Sequence, residues 1–176
     1  MAPDDADFAG LLERQGPGLF NYLLHRLGRR EEAEDVYAEV FMKAWQGWGA
    51  YREQGRAQAW LFTIARRSCV DAARRGRHRR TEALETEVDG VSLLDKVPSP
   101  EPGPEREAEG GYARARIARA LAELPVEQRE VFLMREFGGL SFAEVAAATE
   151  CPLPTALARM RYAVQKLRAR LGDLDA

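Results

Sequence analysis

The stretch from residue 81 to 111 constrains this chain more than any other. Pro98, Pro100, Pro102 and Pro104 alternate there, with Gly90, Gly103, Gly110 and Gly111 close by. Proline fixes φ, lacks a backbone donor and biases the preceding residue away from helix. The same stretch carries nine acidic and two basic residues and few apolar ones, so little burial is on offer to offset the entropy of ordering it. About thirty residues is long for a loop inside one domain. The segment is therefore expected to be a flexible acidic linker, with a short ordered stretch at Val91, Leu93 and Leu94, joining two small domains at 1–80 and 112–176.

Both flanking parts carry helical periodicity and no strand signal. Ala33, Val36, Tyr37, Val40, Phe41, Ala44, Trp45 and Trp48 alternate steps of three and one, which places them on one face of a helix. Phe8, Leu11 and Leu12, then Phe20, Leu23, Leu24 and Leu27, predict an earlier helical segment, broken or kinked at Gly16-Pro17-Gly18. A third helix is predicted over about 57–79, with Leu61, Ile64, Ala65, Ser68 and Ala72 facing the core. In the C-terminal part four shorter helices are predicted. The first spans about 112–123; the second starts at Pro125, a residue suited to a first helical turn. The third starts at Ser141 with Glu144 three residues on, a capping-box pattern. The fourth runs from about Pro152 to Leu171. Period-2 runs and Asn-Gly hairpins are absent, so the fold class is all-α.

The net charge of −2 at first argues against a nucleic-acid binder, because phosphates need cations. By segment, however, residues 1–80 carry +3, 81–111 carry −7 and 112–176 carry +2. Residues 66–80 alone hold seven arginines and one aspartate. Arg66, Arg67, Arg74 and Arg77 share about a third of the helix circumference, with Thr63 on the same arc and Trp60 at its edge. Guanidinium groups beside an indole suit phosphates beside an unstacked base. A solvated basic face with Trp60 in the core is the competing reading.

Residues 155–170 hold five cations and no acid, flanking an apolar stripe of Met160, Val164, Leu167 and Leu171. With the capped helix before it, this is the outline of a helix-turn-helix whose second helix enters the major groove. Glu31, Glu32, Asp35 and Glu39 form an acidic face on the second helix, either a docking surface for a basic partner or a plain solvated face.

Catalysis finds little support. The two histidines, His25 and His78, have no partner at a metal or triad spacing, and no phosphate-binding GxxxxGK[ST] or GxSxG elbow occurs. Cys69 and Cys151 form no CxxC pair and read as packing residues in a reducing setting. No apolar run approaches the roughly 18 residues of a membrane span, and the acidic start (Asp4, Asp5, Asp7) does not read as a secretory signal. The expectation is a cytoplasmic protein with no cofactor, no metal, no small-molecule substrate and no membrane insertion.

Three stretches, AEDVYAEVFMKAW (33–45), AWLFTIARRSCVDAARR (59–75) and ALAELPVEQREVFLMREFGGLSFAEVAAA (120–148), resemble in order and spacing a bacterial sigma factor of the extracytoplasmic-function type. The resemblance covers about residues 8–80 and 112–171. It implies a three-to-four-helix region-two bundle and a four-helix region-four domain, and a protein that is not an enzyme but binds core RNA polymerase and selects promoters. It implies docking on the β′ clamp helices around Asp35, Glu39 and Phe41. It implies minus-ten recognition and melting by Trp60, Thr63, Arg66, Arg67, Arg74, Arg75 and Arg77, with base capture by the loop at about 50–56. It implies minus-thirty-five recognition by Thr155, Arg159, Arg161 and Lys166, docking of region four on the β flap, and an anti-sigma factor as regulator. The sequence departs from the family pattern at Ala38 (often Gln), Arg67 (commonly Asn), Glu150 (usually Gly) and Leu157-Ala158-Arg159 (a Lys-Ser-Arg run in many members). The rival reading is a stand-alone helix-turn-helix regulator with an unrelated N-terminal part.

Overall fold

The computed structural model describes residues 5–51, 56–83 and 104–172. These form seven α-helices and no strand: α1 (Asp5–Leu27), α2 (Arg30–Trp48), α3 (Ala57–Ala83), α4 (Pro104–Ala122), α5 (Val126–Glu136), α6 (Phe142–Ala148) and α7 (Leu153–Leu171). The all-α class follows from the 3.6-residue periodicity on both sides of the central segment.

Helices α1, α2 and α3 pack on one another. The turn between α1 and α2 is tight because Gly28 takes a left-handed φ of +80° while its N–H closes on the Leu24 carbonyl at 2.8 Å. From α2 the core takes Ala33, Val36, Val40, Ala44 and Trp48. From α3 it takes Leu61, Phe62, Ala65, Ser68, Cys69 and Ala72. Burial pushes the Cys69 thiol up to about 12, in keeping with an inert packing residue.

Helices α4 to α7 form the second group, with α7 against α4, α5 and α6. Ser141 caps α6 as its pattern predicts: its hydroxyl accepts from the Glu144 N–H at 3.2 Å while the Glu144 carboxylate accepts from the Ser141 N–H at 2.8 Å. The two groups also touch. α1 meets α4 and α5, and α3 meets α6.

Three sequence expectations about local structure change. α1 runs unbroken through Gly16-Pro17-Gly18; Pro17 is exposed on the helix, which carries it without ending. α4 begins at Pro104, not near 112, because proline fits a helix start and Glu105 to Glu109 are mostly good helix formers. α3 continues to Ala83, past 79. The expected flexible linker and its ordered stretch at Val91, Leu93 and Leu94 thus lie mostly outside the described residues, as does most of the 50–56 loop.

Candidate nucleic-acid interface

On α2, Asp35 is exposed and Glu39 half-buried. Glu39 turns toward α3, taking hydrogen bonds from Lys43 at 2.6 Å and Arg75 at 2.8 Å. Partial burial would raise its carboxyl, but those two cations outweigh it and hold Glu39 below the ordinary carboxylate range. Next to the acids runs an uncovered apolar ridge of Phe41, Met42 and Trp45, which are 42%, 61% and 47% exposed. At about 100° per residue, Ala38, Phe41, Met42 and Trp45 lie on one side of Asp35, and Glu39 lies on the other. Periodicity placed Phe41 and Trp45 on one helix face with Ala33 and Trp48. The structure leaves both half-exposed, because α1 and α3 cover only the narrower line from Ala33 to Trp48. Met42 was missed. Its signal was an apolar residue off the core stripe and three positions from an acid.

On α3, Trp60 is half-buried in an aromatic cluster, its ring centroid 4.9 Å from Tyr51 and 5.9 Å from Trp48. Behind it, Gly47 leaves just enough room: a Cβ there would stand 3.2 Å from the indole. The Thr63 hydroxyl donates to the Ala59 carbonyl of its own helix at 2.8 Å. Arg74 is exposed. Arg75 is engaged with Glu39, so it belongs to the α2–α3 seam as much as to the basic face. The Arg77 side chain lies outside the described residues. Arg66 and Arg67 face the second helical group. Arg66 donates to the Glu130 carboxylate at 3.3 Å and pairs with Glu150 at 3.8 Å, and Arg67 lies 4.0 Å from Glu150.

Glu130 is the acid that sequence reading overlooked. It is 4% exposed, on α5, with Tyr22 donating to it at 3.5 Å and Arg26 within 3.6 Å. Burial raises the Tyr22 hydroxyl well above its ordinary value, so it stays a neutral donor. Nothing in the local pattern marks Glu130, because its partners are 64 to 108 residues away in sequence.

His25 stacks on Phe137 across the same junction, centroids 5.3 Å apart and planes 11° apart. Burial lowers its pKa. The folded state therefore resists a proton that the unfolded chain accepts near 6.5. Stability is complete above that value and falls as pH drops through it. The urea midpoint is expected to decline between pH 7.5 and 5.5, and His25→Phe, which keeps the stack, is expected to flatten that decline.

On α7, Ala156, Ala163 and Leu167 are buried, with Met160 and Val164 beside them. Arg161 and Lys166 are exposed, and Thr155 and Arg159 are half-buried at the edge of the outer face. Short Ala158 sits at the centre of that face, flanked by Gln165 and by Tyr162, over whose ring the Arg161 guanidinium lies at 5.3 Å. Sequence reading passed over Tyr162. The turn before α7 contains Glu150 at φ 54°, a left-handed conformation that favours glycine.

No group of three or more potential metal ligands gathers among the described residues, and none of their helices is long and apolar enough to cross a membrane.

Two family models match the chain: Sigma-70 region 2 over residues 11–80 and Sigma-70, region 4 over residues 114–167. The ECF RNA polymerase sigma factor SigL of Mycobacterium tuberculosis is 32% identical over 98% of this chain and 93% of its own length. The ECF RNA polymerase sigma factor RpoE of Cereibacter sphaeroides is 31% identical over 96% of this chain and 88% of its own. Among solved structures, the sigma factor RpoE of Bartonella quintana, in complex with the anti-sigma factor NepR, shares the fold. Its TM-score is 0.76 at 23% identity, covering 94% of this chain and 97% of that one. CnrH, in complex with the cytosolic domain of CnrY, gives a TM-score of 0.62 at 25% identity over 98% and 92%. With both halves of the chain matched and relatives alike over nearly their full length, this protein belongs to the RNA polymerase sigma factors of the extracytoplasmic-function type.

Proposed function

We propose that this alternative sigma factor divides its work among three helix faces, in the region order its sequence predicts. The part at 1–80 docks on core RNA polymerase, on the β′ clamp helices, through Asp35, Glu39 and Phe41. It engages the minus-ten element through Trp60, Thr63, Arg66, Arg67, Arg74, Arg75 and Arg77. The part at 112–176 reads the minus-thirty-five element through Thr155, Arg159, Arg161 and Lys166, with 81–111 as the connector. Its role is to bind and not to catalyse. Base capture and phosphate contacts supply strand opening, and the protein works in the cytoplasm without cofactor or membrane insertion.

The observation that carries this reading is the separation of surfaces. An acid-edged apolar ridge on α2, an arginine face on α3 and a cation-flanked outer face on α7 sit on three helices of one chain. A stand-alone regulator is disfavoured, because its N-terminal part would not match region two over residues 11–80. Since RpoE of Bartonella quintana is solved in complex with the anti-sigma factor NepR, an anti-sigma factor is also proposed here.

The test is transcription with purified core polymerase on promoters selected by the reconstituted holoenzyme. Replacing Trp60 and Arg66 together by Ala is expected to reduce open complexes by about 10- to 100-fold, the worth of one base stack, scored by permanganate reactivity. Duplex binding through α7 is expected to persist. Equal loss of both activities would point to misfolding, and loss of neither would remove α3 from the mechanism.

A further inference from the structure

The first two turns of α7 offer solvent a patch with nothing to hydrogen-bond. At about 100° per residue, Leu153, Leu157 and Arg161 form one row along the helix, and Pro154, Ala158 and Tyr162 form the row beside it. The leading members, Leu153, Pro154, Leu157 and Ala158, carry only hydrocarbon. Leu153 and Leu157 are 44% and 45% exposed and stand outside the hydrophobic core. Pro154 is exposed and Ala158 half-buried. Leu157 and Ala158 also stand where many family members carry Lys and Ser, so two hydrogen-bonding side chains give way to hydrocarbon together.

The rim of the patch says what covers it. From Thr155 to Arg170 the helix holds five cations and no acid. Arg159 and Arg161 follow Leu157 within about one turn, and Arg161 and Lys166 are exposed. That rim suits a polyanion. In the major groove of DNA the one apolar group on a base edge is the thymine C5-methyl; the rest are donors and acceptors. Hydrocarbon laid on a guanine or cytosine edge strips its water and returns no hydrogen bond.

We propose that Leu153, Leu157 and Ala158 are specificity-determining residues of α7 and select thymine methyl groups in the upstream promoter element. This rests on the assignment of α7 as the helix that reads the minus-thirty-five element. The cations hold the phosphates and set the register, which carries no sequence information by itself. The leading residues of a recognition helix meet the base edges, and here they do so with methyl and isobutyl groups. Discrimination has two parts: a gain on each contacted thymine, and a desolvation cost on a G·C pair in its place.

The experiment uses holoenzyme reconstituted from the full chain and core polymerase. Promoter duplexes randomised at the upstream element are selected, and each selected thymine is then replaced by uracil, which removes only the methyl. This arm changes the DNA alone and depends on no variant's folding. Each contacted thymine is expected to lose about fourfold in affinity, the worth of one buried methyl. Leu157→Ala is expected to erase that difference at one position or more. Leu157→Lys with Ala158→Ser is expected to move the selected base toward guanine, which lysine can meet at O6 and N7. Arg161→Ala is expected to weaken all sequences alike. An upstream element that is selected but tolerates uracil at every thymine overturns the proposal and leaves the α7 assignment standing. A thymine preference unchanged in Leu157→Ala and in the double variant also overturns it. So does a loss of affinity for core polymerase without DNA in Leu157→Ala, which would make the patch a protein contact. A holoenzyme that selects no upstream element refutes the α7 assignment itself, and the proposal with it.

Discussion

Replacing Met42 and Trp45 together by alanine is expected to weaken binding to core RNA polymerase by about thirtyfold or more. Both side chains stand uncovered on α2, at 61% and 47% exposure, next to Phe41 at 42%. Interfaces concentrate their energy in a few such anchors, each worth about 2 kcal/mol or more when central, and 2 kcal/mol is close to thirtyfold in affinity. Met42→Ala alone isolates the interface term, because Met42 is 61% exposed and lies outside the core cluster. Trp45 also leans on Phe8 at 5.1 Å, so a thermal melt of each variant should accompany the binding isotherm. Asp35→Lys should act differently, slowing association and reversing its salt dependence rather than removing an anchor. Retention of binding within about threefold in the double variant would move the docking site off this ridge.

Trp48→Ala is expected to cost about 3–5 kcal/mol of folding stability. The residue is 4% exposed and holds together three parts of the first helical group. Its indole lies 5.2 Å from Phe8 on α1, stacks on Tyr51 at 5.4 Å, and meets Trp60 on α3 at 5.9 Å. Alanine would leave a cavity bordered by rings that cannot collapse into it. In a part of this size each 1 kcal/mol shifts the melting point by about 4–8 °C, so the drop should exceed about 12 °C. The change also removes the support behind Trp60, so strand opening should fall even at temperatures where the chain stays folded. A melting point lowered by less than about 4 °C would show that the cluster repacks.

The candidate sites were legible to different degrees. The helix-turn-helix was readable because its signals are local: Ser141 and Glu144 are three residues apart and cap one helix end, and Pro152 stands just before α7. The cations of α3 and α7 were readable because charge runs survive as strings in a sequence of near-zero net charge. The apolar ridge on α2 was half readable. Phe41 and Trp45 repeat at helical spacing whether or not a neighbour covers them, so periodicity alone could not separate them from the buried line of Ala33, Val36, Val40, Ala44 and Trp48. Phe62 and Cys69 show the converse. They lie off the expected core arc of α3 and are nonetheless buried, since α3 is covered by the second group as well as by α1 and α2.

What the sequence determined by itself depends on neighbours within about four residues: seven helices in order, the cap on α6, the buried line of α2 and the clustering of cations on α3 and α7. These follow from intrahelical hydrogen bonds and from the 3.6-residue repeat, which are local. Only the tertiary structure decided which arginines are free. Arg74 stays in solvent, Arg75 closes on Glu39, and Arg66 is claimed by Glu130, 64 residues further along the chain. No run of residues records that pairing. It exists because Gly18 lets α1 approach the Phe137 carbonyl and Gly138 leaves room for the Phe62 ring, and because a carboxylate removed from water there is stable only where cations meet it.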